Sequence, residues 1–248
     1  MTRATSSIEE SSEPDLPPNL AKFRQEYRNN VIGRWYSGVA HLAFVNVGSL
    51  TVIGIAATFL TLPISTGEWT FFLLTFLAAN FLEYFGHRIP MHNRVLLGLM
   101  FHRHTNEHHR FFTEVHATCR STRDYKIVLF PPIMLFAYLG LYAVPAGTLL
   151  YFFHSPNAAM LFVIMAMFYF LQYESLHFCY HVGENALVAR LPIIRRLREH
   201  HRIHHTHRLM NSHNFNITWP IADFVFGTIY RGEVKPARKA GDRQRRAA

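Results

Sequence analysis

Long runs without charged residues divide this chain and give the first indication of its fold. No Asp, Glu, Lys or Arg occurs in residues 35–67, 69–82 or 127–173. Soluble helices need a polar stripe, and these runs have almost none. A helix rises about 1.5 Å per residue and a bilayer core is about 30 Å thick, so residues 127–173 are long enough for two crossings. The pattern predicts an all-α integral membrane protein with four transmembrane helices, near residues 38–61, 67–86, 127–153 and 157–181.

Two features of the third and fourth predicted spans concern their shape. We place the turn between them at residues 154–157 (HSPN), with VPAG at 144–147 left open as an alternative. Pro131, Pro132 and Pro145 are predicted to kink the third span, because proline removes a helical hydrogen bond and clashes with the preceding turn.

Basic residues predict how the spans are oriented. Arginine and lysine are concentrated before the first span, between the second and third, and after the fourth, whereas residues 62–67 and 154–157 contain none. The positive-inside rule therefore places both termini in the cytoplasm, and four crossings require the termini to share a side. The expected organisation is a cytosolic tail at 1–36 with its first ~20 residues disordered, a membrane-embedded domain at 37–232 and a basic tail at 233–248.

The overall charge of +9 would permit nucleic-acid binding. In a membrane protein the same charge is explained by orientation, so we expect no nucleic-acid partner. Cys119 and Cys179 are too few for a disulfide framework and are expected to be reduced.

Histidines gather at the predicted cytoplasmic ends of the spans. Four blocks contain ten of the 17 histidines in the chain: His87 and His92; His104, His108 and His109; His177 and His181; His201, His204 and His205. Spacings of three or four residues place side chains on one helix face, so we expect His104 with His108, and His201 with both His204 and His205. His87 and His92 would lie about 140° apart on an α-helix, and Pro90 is expected to bend the chain so that His92 turns back.

Ten imidazoles exceed the needs of one ion. A structural zinc takes four ligands and a catalytic zinc three with a water, so two metals with about five positions each fit better. Imidazole suits iron, zinc, copper and nickel, so the ligand type leaves the metal open. A pH sensor is disfavoured, because most neighbouring charges are arginines and crowded imidazolium ions would repel one another.

The four blocks, together with NFNITWPIADFVFGT at 214–228, resemble the fatty acid hydroxylase / sterol desaturase superfamily. Asn216 and Ala222 depart from the family's usual Gly and Trp. The resemblance implies a four-helix membrane fold whose cytosolic helical cap holds two non-haem iron ions, which zinc can replace in a purified protein. Carried over position by position, the implied metal ligands are His87, His92, His104, His108, His109, His177, His181, His201, His204 and His205.

The resemblance also implies a function. Members use O2 and external electrons to hydroxylate or desaturate an aliphatic C–H position of a lipid, fatty-acyl or sterol-like substrate. The short tails favour a separate electron donor, similar to cytochrome b5 or ferredoxin.

Three carboxylates are candidates to accept the second ring N–H of ligating imidazoles. Glu83 lies four residues before His87 and Glu174 lies three residues before His177. Both could instead mark the membrane–water boundary, and Asp223 could act likewise or cap a turn.

Seven histidines lie outside the pattern. Those close to the blocks are left open as neighbours of the site or surface residues: His102, His200, His207 and His213. His41 and His154 are expected to be structural, and His116 is undecided.

Two other functional classes remain as alternatives. A b-type cytochrome needs histidines that face each other across helices, usually without adjacent His–His pairs. A metal transporter needs polar ligands at mid-membrane, where these spans offer little besides Asn46 and Asn80.

Overall fold

The structure is a computed structural model that describes residues 13, 15–94, 98–183 and 185–232. Within those residues the chain is helical and contains no strand. The α-helices are α1 (Pro18–Asn30), α2 (Gly38–Thr58), α3 (Thr66–Gly86), α4 (Gly98–Phe101), α5 (His109–Phe111), α6 (Tyr125–Val128), α7 (Ile133–Tyr138), α8 (Val144–Phe153), α9 (Pro156–His181), α10 (Pro192–His204) and α11 (Ile221–Val225). The π-helical segments are His87–Met91, His102–His108 and Leu139–Ala143, and the 3-10 turns are Thr122–Asp124 and Leu187–Arg190.

The chain divides into two units, residues 1–36 and 37–248. In the first unit α1 begins at Pro18, which suits a first helical turn, and the Arg28 guanidinium lies 3.1 Å from the Glu13 carboxylate. Residues 1–12 and 14 of the segment expected to be disordered lie outside the described residues, as does the basic tail at 233–248. Residues 18–20, also part of that segment, are helical instead.

The second unit has four helical regions long and apolar enough to cross a membrane, which confirms the predicted fold class. Their bounds are Gly38–Thr58, Thr66–Met91, Thr122–Phe153 and Pro156–His181. Serine caps fix where three of these helices begin. Ser37 and Ser155 accept hydrogen bonds from the backbone N–H groups three residues ahead, and Ser65 forms a reciprocal capping box with Glu68.

Proline shapes the third span as predicted. The helix is interrupted between Val128 and Ile133, at Pro131 and Pro132. The π-helical segment Leu139–Ala143 precedes Pro145, where the proline ring cannot continue the regular bonding pattern. The turn to the fourth span lies at His154 and Ser155, as predicted, and the VPAG alternative is wrong because those residues lie inside α8.

Helix α9 is the central element of the unit. It packs against α2, α3 and α8 along its length, and α10 packs at its carboxyl end. Near its start, Asn157 bonds Thr61 at 2.9 Å and Ser155 donates to Glu68 at 2.8 Å. Midway, the Asn80 amide lies 3.0 Å from the Tyr169 hydroxyl. These polar links fix the register of α3 and α9, whose carboxyl ends carry the first and third histidine blocks.

Candidate metal centre

The structure gathers the ten predicted histidines into two adjoining groups. In the first, one ring nitrogen from each of five residues lies within 4.8 Å of the others: His87, His92, His104, His109 and His204. Four residues form the second group by the same measure: His108, His181, His201 and His205. His177 completes it, since its Nε2 lies 3.3 Å from the Nε2 of His108.

The π-helical segments explain how residues five apart share a group. A π-helix bonds residue i to i+5, so it brings such residues onto one face, where an α-helix would separate them. The Nε2 atoms of His87 and His92 are 3.2 Å apart, and those of His104 and His109 are 3.0 Å apart. The bend expected at Pro90 is thus a π-helical turn that contains the proline.

Two expected pairings differ from the structure. His108 belongs to the second group rather than joining His104, because the helix around it is π rather than α. At the carboxyl end of α10, His201 and the capping residue His205 share the second group, with their Nε2 atoms 3.0 Å apart, whereas His204 joins the first. Both segments therefore supply imidazoles to both groups.

Backbone carbonyls fix the orientation of five of these rings. The Nδ1 atoms donate to the carbonyls of Phe215 (from His87), Ile127 (from His108, 3.0 Å), Ala117 (from His181, 2.6 Å), His213 (from His204, 2.9 Å) and Phe112 (from His205, 2.7 Å). A carbonyl can only accept, so each Nδ1 carries the ring proton and each Nε2 presents a lone pair.

Because this tautomer leaves a lone pair on each Nε2, close contacts between Nε2 atoms bring lone pairs to face each other. The Nε2 atoms of His108 and His205 are 3.2 Å apart, yet both rings carry their proton on Nδ1, where it is donated to a backbone carbonyl. Two facing lone pairs repel unless a positive ion lies between them. The arrangement is therefore one that a metal cation would stabilise.

Burial lowers the pKa of the seven grouped imidazoles outside the spans, so these rings are uncharged at neutral pH. Desolvation, followed by repulsion from neighbouring imidazoles, lowers the pKa of His92 to about 2. Burial lowers the pKa of His205 to about 4, against the opposing hydrogen bond to Phe112. The same causes hold five other pKa values well below the usual range, those of His104, His108, His109, His201 and His204. Neutral imidazole is the form that binds metals, so the site needs no deprotonation cost at pH 7.

Glu83 and Glu174 were predicted to accept ring N–H groups, but they accept hydrogen bonds from chain segments beside the rings instead. Glu83 accepts hydrogen bonds from the backbone N–H groups of Ile217 and Thr218 and from the hydroxyls of Thr218 and Tyr169. Glu174 accepts from the backbone N–H of Phe130 at 3.1 Å. Carbonyls take the ring protons instead, and the two carboxylates hold the segments that present the carbonyls of Phe215 and Ile127.

Asp223 caps a turn, one of the two roles considered for it. Its carboxylate accepts from the backbone N–H groups of Phe215 at 2.9 Å and Asn216 at 2.7 Å, and from Thr228 at 2.5 Å. It also lies 3.1 Å from Nε2 of His200. Burial alone would raise the pKa of Asp223, but hydrogen bonds from His200 and Thr228 together lower it.

A comparison with protein-family models identifies the family to which this chain belongs. Residues 72–228, more than half of the chain and including all ten grouped histidines, match the fatty acid hydroxylase family. The chain belongs to the fatty acid hydroxylase family. No curated protein and no solved structure matches it. Membership identifies a multi-pass membrane oxidoreductase, and its histidine groups are compatible with a metal site.

The other histidines of this fatty acid hydroxylase lie outside the two groups. His41 bonds the Phe130 carbonyl at 3.0 Å and His154 packs on Phe71, so both are structural as expected. Among the others, His102 contacts Glu107 (3.3 Å), His200 contacts Asp223, and the His213 ring contacts Ser212 (2.8 Å). His207 is exposed, and His116 joins neither group.

Sequence reasoning missed the carbonyls that orient the rings and the loop that presents one of them. Asn214 has a positive φ of 58°, a conformation that asparagine tolerates better than most residues. Its side chain donates to the His200 carbonyl at 2.9 Å and accepts from Tyr230 at 2.8 Å. The NFN sequence was the available signal, since asparagines flanking an aromatic residue favour such a turn.

Proposed function

We propose that this fatty acid hydroxylase is a membrane-bound di-iron oxygenase. It hydroxylates or desaturates an aliphatic C–H position of a lipid, fatty-acyl or sterol-like substrate with O2 and external electrons. The observation that carries the proposal is the convergence of uncharged imidazole nitrogens in two groups of about five.

Each group would hold one ion, and the donor set fits iron. The first ion would be bound by His87, His92, His104, His109 and His204, and the second by His108, His177, His181, His201 and His205. Zinc could occupy the same nitrogens in a purified protein, because imidazole suits both metals.

A redox metal is required by the chemistry rather than by the ligands alone. Two ferrous ions would supply O2 activation, which an unactivated C–H bond needs and which zinc lacks. In hydroxylation one oxygen atom enters the substrate and the other leaves as water, with two electrons from the donor and two protons. In desaturation two hydrogens leave the substrate and both oxygen atoms leave as water.

The protein's own contribution is positioning and exclusion of water. The carbonyls of Phe215 and Ile127 fix two ligand rings, and Glu83 and Glu174 brace the segments that carry those carbonyls. An apolar cavity of about 190 Å³ has His104 in its wall and would admit an aliphatic chain. Such walls exclude water that would otherwise compete for the oxidant.

The distribution of basic residues supports a cytoplasmic location for the histidine groups and both termini. An electron donor similar to cytochrome b5 or ferredoxin would then reach the site from the cytosol. The exposed Arg195 and Arg196 on α10 would attract an acidic surface on such a protein.

The competing functions receive less support from the geometry. In each group the remaining imidazoles occupy the space that a porphyrin would need around a His-ligated haem iron. A metal transporter would need free ligands at mid-membrane, but Asn80 bonds Tyr169 and the Trp219 carbonyl, and Asn46 bonds the Leu42 carbonyl.

Lipid mass spectrometry of cells with and without the protein tests the function. We expect lipids that have gained one oxygen or lost two hydrogens, and we expect them to disappear when His204→Ala replaces the wild type. Lipid profiles that are identical in all three strains, with the protein present in the membrane, would refute an oxygenase.

A further inference from the structure

Residues 214–228 form a loop that leaves the first histidine group and returns to it. The backbone N–H of Asn214 donates to the carbonyl of Thr228 at 3.0 Å, so the two ends of the 214–228 loop lie side by side. Next to these ends, the Phe215 carbonyl accepts the Nδ1 proton of His87. Both ends of the loop therefore lie at the level of the first histidine group.

The tip of this loop packs against α3 and α9. The side-chain amide of Asn80 donates to the Trp219 carbonyl at 2.8 Å, and its oxygen accepts from the backbone N–H of Ala222 at 3.1 Å. The Thr218 hydroxyl lies 2.7 Å from the hydroxyl of Tyr169 on α9. The tip is thus fixed to two helices that are long and apolar enough to span a membrane.

These two helices define the depth of the tip. At about 1.5 Å per residue, Asn80 lies about 21 Å along its span from Thr66, and Tyr169 lies about 20 Å along its span from Pro156. The hydrocarbon core of a bilayer is about 30 Å thick. The tip therefore lies roughly 10 Å inside this core, measured from the side that carries the histidine groups.

Polar backbone groups of the loop are paired within the protein. A bilayer core offers no water to an N–H or C=O group, so irregular backbone is tolerated there only where the protein supplies partners. Glu83 accepts hydrogen bonds from the N–H groups of Ile217 and Thr218, which are both buried. The Tyr180 hydroxyl donates to the Ile217 carbonyl at 2.8 Å. The loop thus meets the requirement for non-helical backbone at membrane depth.

One side of the loop is apolar and exposed. Phe224, Val225 and Phe226 are 69%, 57% and 44% exposed. The ring centroid of Phe226 lies 5.4 Å from that of Phe85 on α3, and both Phe85 and Leu82 are exposed on that span. Exposed apolar patches mark contacts with a membrane or with another protein. Continuity with the exposed side of a membrane span favours the membrane.

We propose that the 214–228 loop is re-entrant. It enters the bilayer from the side of the histidine groups, turns at residues 219–222 and leaves on the same side. Its three exposed apolar side chains contact the acyl chains of the lipids, and Asn80 holds the tip at its depth. Because the Phe215 carbonyl orients His87, the loop connects a lipid-facing surface to the first histidine group. The proposal is independent of the reaction that the protein catalyses.

A fluorescent label on the full-length protein in lipid nanodiscs tests the contact with lipid. Cys119→Ala and Cys179→Ala remove the native thiols, and Val225→Cys then carries an NBD fluorophore. Leu82→Cys, on the exposed side of α3, is the reference for a position in lipid. Ser212→Cys, exposed and just before the loop, is the control for a position in water.

Two quenchers distinguish the possible surroundings of the label. Nitroxides on the acyl chains should quench the Val225→Cys label as strongly as the Leu82→Cys label. Iodide in the water should quench it several-fold less than the Ser212→Cys label. Equal quenching of the labels at Val225→Cys and Ser212→Cys by iodide would place the loop in water and overturn the proposal. A Val225→Cys label that neither quencher reaches would mean that protein, such as a second copy of this chain, covers the face, which would also overturn it.

An unlabelled cysteine gives a second, independent measurement. A charged, membrane-impermeant methanethiosulfonate should react with Phe224→Cys several-fold more slowly than with Ser212→Cys, because a charged reagent does not enter the hydrocarbon core. Equal reaction rates would contradict a re-entrant loop.

The role of Asn80 is tested with the label at Val225→Cys. Asn80→Leu removes the partners of the tip, so it should weaken quenching by the acyl-chain nitroxides and strengthen quenching by iodide. The matched control is Asn46→Leu on α2, because the Asn46 amide donates to the Leu42 carbonyl of its own helix at 2.8 Å. Quenching in Asn80→Leu that equals the quenching in Asn46→Leu would refute the role of Asn80 in holding the tip.

Discussion

A neutral imidazole has an N–H proton on one ring nitrogen and a lone pair on the other, and hydrogen bonds within the protein determine which nitrogen carries which. The carbonyls of Phe112 and Ile127 take the protons of His205 and His108, so the two Nε2 lone pairs face each other. The sequence could predict which histidines converge, because the block spacings are visible. It could not predict which carbonyls accept the ring protons, because every residue has a backbone carbonyl and the side chain does not indicate which one is used.

At this scale the ligand assignment is tested by removing one ring from each group. His108→Ala should lower the metal content by depleting the second group, and His204→Ala should deplete the first, with both proteins still inserted in the membrane. The exposed His207→Ala, in the same basic segment as His204, is the control and should retain full metal. Elemental analysis of the purified variants gives the answer, and undiminished metal in both ligand variants would contradict the assignment.

At the scale of elements, the spans followed from the sequence but the π-helical segments did not. Uncharged runs fix the existence of four helices, and serines at 37, 65 and 155 fix where three begin. The spacing rule for side chains on one face assumes an α-helix, so it mispaired His104 with His108. A π-helical turn cannot be recognised from amino-acid composition, so these segments are seen only in the folded structure.

Glu83 on α3 is hydrogen-bonded to Tyr169 on α9 and to Ile217 and Thr218 in the loop after α10, and we expect substitutions in this link to lower stability by different amounts. Glu83→Ala leaves the N–H groups of Ile217 and Thr218 without their acceptor, and each such loss costs about 1–3 kcal/mol. Tyr169→Phe removes the hydroxyl that donates to Glu83 and accepts from Asn80, but it leaves the N–H groups of Ile217 and Thr218 with their acceptor, so it should cost less, about 1 kcal/mol for each hydrogen bond lost.

Thermal unfolding in detergent measures this series. The midpoint should fall most in Glu83→Ala and less in Tyr169→Phe, and the control Glu199→Gln, which pairs with Arg202 at the surface, should stay close to wild type. A midpoint for Glu83→Ala equal to that of wild type would show that the carboxylate does not hold the loop.

For the whole molecule, burying so many imidazoles couples stability to pH. Seven histidines outside the spans have a folded-state pKa below the usual value, including those of His92 and His205 at about 2 and about 4. An unfolded histidine titrates near 6.5. Below that pH the unfolded chain binds protons that the folded chain excludes, so the free energy of unfolding falls as the pH falls.

The metal-free protein should therefore be most stable above about pH 6.5 and lose stability steeply in acid. Each such histidine contributes about 1.4 kcal/mol per pH unit between its unfolded and folded pKa values. Unfolding midpoints measured with a chelator between about pH 8 and pH 5 test this. Midpoints that stay constant or rise in acid would mean that the imidazoles are not buried uncharged.

The most direct test of the account is the metal content of the purified, full-length protein. Prepared without oxygen and with ferrous iron supplied, it should hold about two iron ions per chain and lack the intense absorption band of a haem. One ion per chain, or none, in correctly inserted protein would contradict the central claim that two separate histidine groups each bind a metal.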